Sequence, residues 1–148
     1  MAHDRLTLAD YRALADFRYE LRRFLQFSEQ AARAAGLEPQ QHQLLLALRG
    51  MPAGVKPTIR VLSERVQTRH HSTVELINRM EARGLVRRDR GEKDRRQVFV
   101  RLTPRGDALL RLLSQFHRAE LRAVTPRLVR ALGVLMREVG DADAAAQA

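Results

Sequence analysis

The chain has 148 residues, of which 45% are hydrophobic, so it is long and apolar enough for one ordinary domain with a core. With 27 Lys+Arg against 17 Asp+Glu, a formal charge of +10 and a pI near 11.4, it favours a polyanionic partner, either nucleic acid or an anionic membrane surface. The absence of Cys excludes disulfides, thiolate metal ligands and thiol redox sensing; no apolar run approaches ~18 residues and Asp and Arg interrupt the N-terminus, so neither a membrane span nor a signal peptide is expected and the protein is placed in the cytoplasm.

Thr7 reads as a helix N-cap, with Asp10 three residues on, near the positive helix end. Leu14, Phe17, Leu21, Phe24, Leu25, Ala31, Ala32 and Ala35 then recur at helical spacing until Gly36, which predicts one long amphipathic helix. Such a helix exceeds the needs of a core this size, and its surplus apolar face calls for a partner subunit. Pro39 suits the first turn of a second helix, in which Leu44, Leu45 and Leu48 precede Gly50. The segment MPAGVKP is a loop rich in breakers. Thr58 can cap a third helix whose Ile59, Leu62 and Val66 share a face, and after a short turn a fourth is expected over residues 70–83, with Val74, Ile77 and Met80 inward and Gly84 as its stop.

The fourth helix has hydrogen-bonding side chains at its expected outward positions: His70, His71, Ser72, Thr73, Asn78 and Arg79, with Arg69 just before them. A helix that enters a major groove needs such groups, most of all at its N-terminal end, since Arg on guanine and Asn on adenine can each bond bidentately. Beyond it, Val98, Val100 and Leu102 alternate with Gln97, Phe99 and Arg101 across a turn containing Gly91, a period of two that predicts a β-hairpin with Arg90, Lys93, Arg95 and Arg96 at its tip. Asp94 either orients the Arg96 guanidinium by a bidentate ion pair or is an ordinary turn residue. Residues 56–105 hold 14 Lys+Arg and 6 Asp+Glu, a net +8 of the chain's +10, so the charge sits on this helix-turn-helix and hairpin. The bland reading of the same charges is a solvated face.

Thr103-Pro104 predicts the start of a fifth helix and Thr125-Pro126 that of a sixth, ended by Gly140, with the small polar tail after it expected to fray. Leu109, Leu112, Leu113 and Phe116 make the fifth helix too apolar for one face, and with the first and sixth it suits a dimer bundle. No catalytic or cofactor site is read: the acids interleave with Arg at helical spacing, and the Ser residues lack a partner motif. His3, His42, His70, His71 and His117 show no metal-ligand spacing, so no metal is expected either.

The hairpin resembles the wing signature of the MarR family of transcription regulators, carried here by Asp94, Arg96, Val100, Leu102, Thr103 and Gly106. The stretches STVELINRMEARGLVRR and GLEPQQHQLLLAL are similar to that family too, so the resemblance spans nearly the whole chain. It implies a mainly α fold of order α-α-α-α-β-β-α-α in one unit over residues 1–148. A winged helix-turn-helix lobe would occupy 37–103, and a helical dimerisation region 1–36 with 104–148. It further implies a homodimer that binds a pseudo-palindromic double-stranded DNA operator and represses transcription until a small molecule, such as an aromatic acid or phenol, releases it. His70, His71, Ser72 and Thr73 would then open the recognition helix on the groove, and Arg96, oriented by Asp94, would be the wing contact. The turn QTRHH lacks the Gly often found there, which allows the groove register to shift by a residue. An effector pocket is implied where the lobe meets the dimer bundle, with Phe17, Arg18, His42, Phe116 and His117 as candidates, although Phe17 and Phe116 also suit a core. Two rival readings stay open: an architectural protein that binds DNA without sequence preference, and a ligand-binding module with no DNA role.

Overall fold

The computed structural model describes the backbone of residues 5–145 and the side chains of residues 5–136; His3 lies outside them. In chain order these residues form α1 (Leu8–Ala34), α2 (Pro39–Arg49), α3 (Ile59–Val66), α4 (His70–Ala82), β1 (Val86–Arg90), β2 (Val98–Leu102) and α5 (Pro104–Ala145). They divide into two compact units: Glu29–Phe116, and the segment up to Ser28 together with that from His117 onward.

Local chemistry starts each element of the first unit. Pro39 stands in the first turn of α2, and the Glu38 N–H donates to Gln41 Oε1 at 3.1 Å. Thr58 Oγ1 accepts the Val61 N–H and caps α3. The α3–α4 turn has no glycine, and Gln67 takes the left-handed conformation instead, at φ 53°. That conformation costs an L-residue roughly 1–2 kcal/mol. Here the Gln67 N–H reaches the Glu64 carbonyl at 3.3 Å and the Thr68 N–H the Ser63 carbonyl at 3.1 Å, and α4 begins at His70.

Behind the turn, Leu62 and Val66 of α3 and Leu76, Ile77 and Met80 of α4 join Leu44 and Leu45 of α2 in a continuous buried cluster. Val74 was expected inward but is half-buried; Leu76 takes the fully buried place. The hairpin completes the unit. Val86 pairs with Leu102 and Arg90 with Val98 in an antiparallel ladder, and the Val100 N–H donates to the Pro57 carbonyl at 3.0 Å, fastening the sheet to the start of α3. Thr103 closes the far end: its hydroxyl donates to the Gly84 carbonyl at 2.6 Å and accepts the Gly106 N–H at 3.1 Å.

In the second unit, Thr7 and Asp10 cap α1 reciprocally: Asp10 Oδ2 accepts the Thr7 N–H at 2.7 Å, and Thr7 Oγ1 accepts the Asp10 N–H at 3.2 Å. Ala13 on α1 and Val124 and Ala131 on α5 are buried. Arg127 Nη1 stands 3.3 Å from the buried carboxylate of Glu20. Large apolar side chains stay exposed on both helices, among them Leu8, Tyr11, Leu14, Val129, Leu132 and Met136.

The expected sixth helix is not separate: α5 runs without a break through Pro126 and Gly140 to Ala145, where fraying was expected. A proline inside a helix removes one N–H and crowds the carbonyl four residues back, at ~3 kcal/mol. Strong helix formers on both sides (Glu120, Leu121 and Arg122; Arg127 and Leu128) oppose that cost, and Val124 and Ala131 anchor the helix on either side of the proline. The Thr125 hydroxyl donates to the Leu121 carbonyl, a bond local to the chain that makes Thr125 a helix-interior residue rather than a cap.

Candidate nucleic-acid interface

The N-terminus of α4 carries no side-chain cap. Its first-turn N–H groups therefore face outward at the positive end of the helix, where water or a phosphate oxygen can accept them. Arg69, His70 and His71 are exposed around this end, and Ser72 is half-buried.

Thr73 is not an outward residue, contrary to its polar type. Its side chain is 0% exposed, its hydroxyl donates to the Arg69 carbonyl at 3.1 Å, and Thr68 Oγ1 lies 2.8 Å away. A threonine satisfies itself this way on the inner face of a helix, so Thr73 belongs to the framework of the turn. Thr73→Val is expected to cost about 1–3 kcal/mol of stability and leave base preference unchanged. A melting curve with sequencing of selected DNA checks both, and altered preference at unchanged stability would return Thr73 to the interface.

Further along α4, Asn78 and Arg79 are exposed but engaged. Arg79 Nη2 lies 3.0 Å from Glu38 Oε2 at the start of α2, and Arg83 Nη1 donates to Gln41 Oε1 at 3.0 Å. Asn78 Oδ1 accepts Arg88 Nη2 from β1 at 2.6 Å. Sequence reading overlooked Glu38, Gln41, Glu81 and Arg88, since no helical or strand period connects residues on different elements.

At the hairpin tip Arg90, Lys93, Arg95 and Arg96 are exposed, Arg96 with 95% of its side chain. Asp94 Oδ1 accepts the Arg96 backbone N–H at 3.0 Å, a turn bond, and the same oxygen stands 3.5 Å from Arg96 Nε, a single contact in place of the expected bidentate pair. Backbone bonds set the turn, Gly91 N–H to the Gln97 carbonyl at 2.9 Å and Gln97 N–H to the Asp94 carbonyl at 3.1 Å, so the cations ride on a scaffold they do not build. On the outer face Asp89 is shared by Arg87 at 3.4 Å and Arg101 at 3.3 Å, while Lys56 stands 5.4 Å over the Phe99 ring.

The effector candidates fall in different units. In one, Phe17 is half-buried, Arg18 is exposed, and His117 Nε2 lies 2.7 Å from Ser28 Oγ with the Phe24 and Phe27 rings edge-on at 6.0 and 5.6 Å. In the other, His42 is buried and Phe116 is 55% exposed, so Phe116 is no core residue of that unit. Ser28, Phe24 and Phe27 join the candidates by contact. Among the described residues no group of three His, Asp or Glu side chains could hold a metal ion, and no helix is long and apolar enough to cross a membrane.

Residues 35–97 match the model of the MarR family. No curated protein matches the chain. Among solved structures, the chain is similar to AbsC, a MarR family transcriptional regulator from Streptomyces coelicolor, at 23% identity and a TM-score of 0.66, covering 93% of this chain and 98% of that one. A mutant of E. coli MarR complexed with operator DNA is 19% identical with a TM-score of 0.62, over 82% of this chain and 89% of that one. BpsR of Bordetella bronchiseptica, whose DNA binding is regulated by 6-hydroxynicotinic acid, is 24% identical with a TM-score of 0.62, over 84% of this chain and 89% of that one. These likenesses establish the MarR winged-helix fold.

Proposed function

We propose that this chain, whose residues 35–97 match the MarR family model and whose fold is that of those regulators, is a homodimeric, sequence-specific DNA-binding transcription repressor, acting in the cytoplasm and released by a small molecule. The observation that carries this reading is one unit that presents both the uncapped, polar N-terminus of α4 and a hairpin tip of exposed cations. Arg69, His70, His71, Ser72 and Asn78 take the major groove, joined by Arg79 where DNA displaces Glu38. Arg90, Lys93, Arg95 and Arg96, with Asp94 orienting Arg96, take the flanking phosphates or the minor groove. The operator-bound E. coli MarR neighbour supports this docking.

The exposed apolar stripes of α1 and α5 support a second copy as partner, since a lone chain would leave them in water. Two copies then place two recognition helices on successive major grooves, ~34 Å apart, over a pseudo-palindrome. Selection from randomised duplex DNA is expected to return such a two-fold site, and light scattering twice the 16.9 kDa chain mass. A single chain mass at micromolar concentration contradicts the dimer.

BpsR supports an aromatic acid as effector. Within one unit, Phe17, Phe24, Phe27, Arg18, Ser28 and His117 supply ring faces, a cation and hydroxyl or imidazole partners for such a ligand, while His42 and Phe116 stay candidates in the other unit. It would act by binding the DNA-incompetent state better than the competent one. Aromatic acids and phenols are expected to raise the melting temperature and lower operator affinity together; a response confined to another compound class contradicts this chemistry.

A further inference from the structure

An Asn amide that presents both its oxygen and its nitrogen suits adenine, whose N6 donates and whose N7 accepts. Asn78, on the exposed side of α4, does not have that freedom. Arg88 Nη2 on β1 donates to its Oδ1 at 2.6 Å. A guanidinium has donors only, so the amide atom facing it must be the oxygen. Arg88 is fixed in turn: Nη1 donates to Glu81 Oε1 at 2.8 Å, its backbone N–H donates to Glu81 Oε2 at 2.9 Å, and its side chain is 26% exposed. The charge-assisted pair with Glu81 leaves Nη2 aimed at α4. With its oxygen held toward β1, Asn78 offers the groove its NH2 group, which only donates.

We propose that Arg88 is a specificity-determining positioning residue: by occupying Asn78 Oδ1 it makes Asn78 a donor-only reader, which favours guanine over adenine at the base pair Asn78 meets. Guanine presents two acceptors there, N7 and O6, where adenine presents one acceptor and one donor. The inference rests on the DNA-reading role proposed above and names a preference within it. Arg88 acts through Asn78 and need not touch DNA.

The test is selection of bound sites from a randomised duplex DNA library by the purified full chain, followed by sequencing, for the parent protein and its variants. Asn78→Ala marks the relevant base pair by flattening preference there. At that pair the parent is expected to enrich guanine over adenine, and Arg88→Ala to move the ratio toward adenine by roughly tenfold. In the Asn78→Ala background Arg88→Ala is expected to move nothing further at that pair, an outcome that a general loosening of the hairpin would not produce. Arg88→Lys keeps a donor for Oδ1 and is expected to restore the guanine preference. Should Arg88→Ala fail to fold, Asn78→Asp at its exposed position carries the test, since a carboxylate has no donor and guanine must lose its advantage.

Three results overturn the assignment while sequence-specific binding stands: adenine preferred by the parent at the marked pair, a guanine-to-adenine ratio untouched by Arg88→Ala or Asn78→Asp, or no base pair marked by Asn78→Ala. A library with no enriched site for the parent overturns the DNA-reading role and the assignment together.

Discussion

Replacing Arg90, Lys93, Arg95 and Arg96 together with alanine is expected to lower the slope of log affinity against log salt by about three to four units, each lost phosphate contact removing ~0.9. Affinity for specific and non-specific duplexes should fall together, because phosphate contacts position a protein without reading sequence. The fold should survive: the hairpin turn is closed by backbone bonds between Gly91 and Gln97 and between Gln97 and Asp94, and the four cations are exposed. Arg96→Ala alone should remove about one unit. Anisotropy titrations over a salt series measure the slope, and an unchanged slope in a folded quadruple variant would mean that the hairpin does not touch phosphate.

The largest expected effect on stability comes from Gly106→Ala. A Cβ at this position would lie 2.1 Å from the Leu85 carbonyl oxygen and 3.0 Å from its carbon, both backbone atoms that cannot swing away. The site is also clamped: the Thr103 N–H donates to that same oxygen at 3.2 Å, and the Thr103 hydroxyl to the Gly84 carbonyl at 2.6 Å. Relief therefore requires the start of α5 to part from the α4–β1 junction. Such overpacking costs roughly 1–3 kcal/mol and sometimes more, and each kcal/mol lowers the melting temperature by ~2–4 °C in a chain of this size. Calorimetry checks it; a variant that melts with the parent would mean that the junction is loose.

Much of this architecture is legible because its determinants are local. Thr7 and Thr58 start helices through bonds within one turn, Pro39 starts one through its fixed φ, and the alternation from Val98 to Leu102 predicts the strand that pairs with β1. What stays hidden has two causes. Some side chains meet across elements: Arg79 finds Glu38 at a separation of 41 residues, and Arg88 reaches from β1 back to Asn78, so neither engagement follows from any period. Elsewhere, residue type points to the wrong state. Thr73 is polar yet buried because its hydroxyl bonds to its own helix, Gln67 supplies the left-handed turn usually left to glycine, and Pro126 marks no boundary because strong helix formers and buried contacts surround it.

The most direct test of sequence-specific DNA reading is a fluorescence-anisotropy titration of the purified protein on the DNA upstream of its own gene and on a scrambled duplex of equal length, at two salt concentrations. A specific regulator should prefer the native fragment by roughly 10³ or more and hold that preference at the higher salt. Equal affinities that collapse together as salt rises would contradict recognition of that fragment and leave only the phosphate contribution, as expected of an architectural DNA-binding protein.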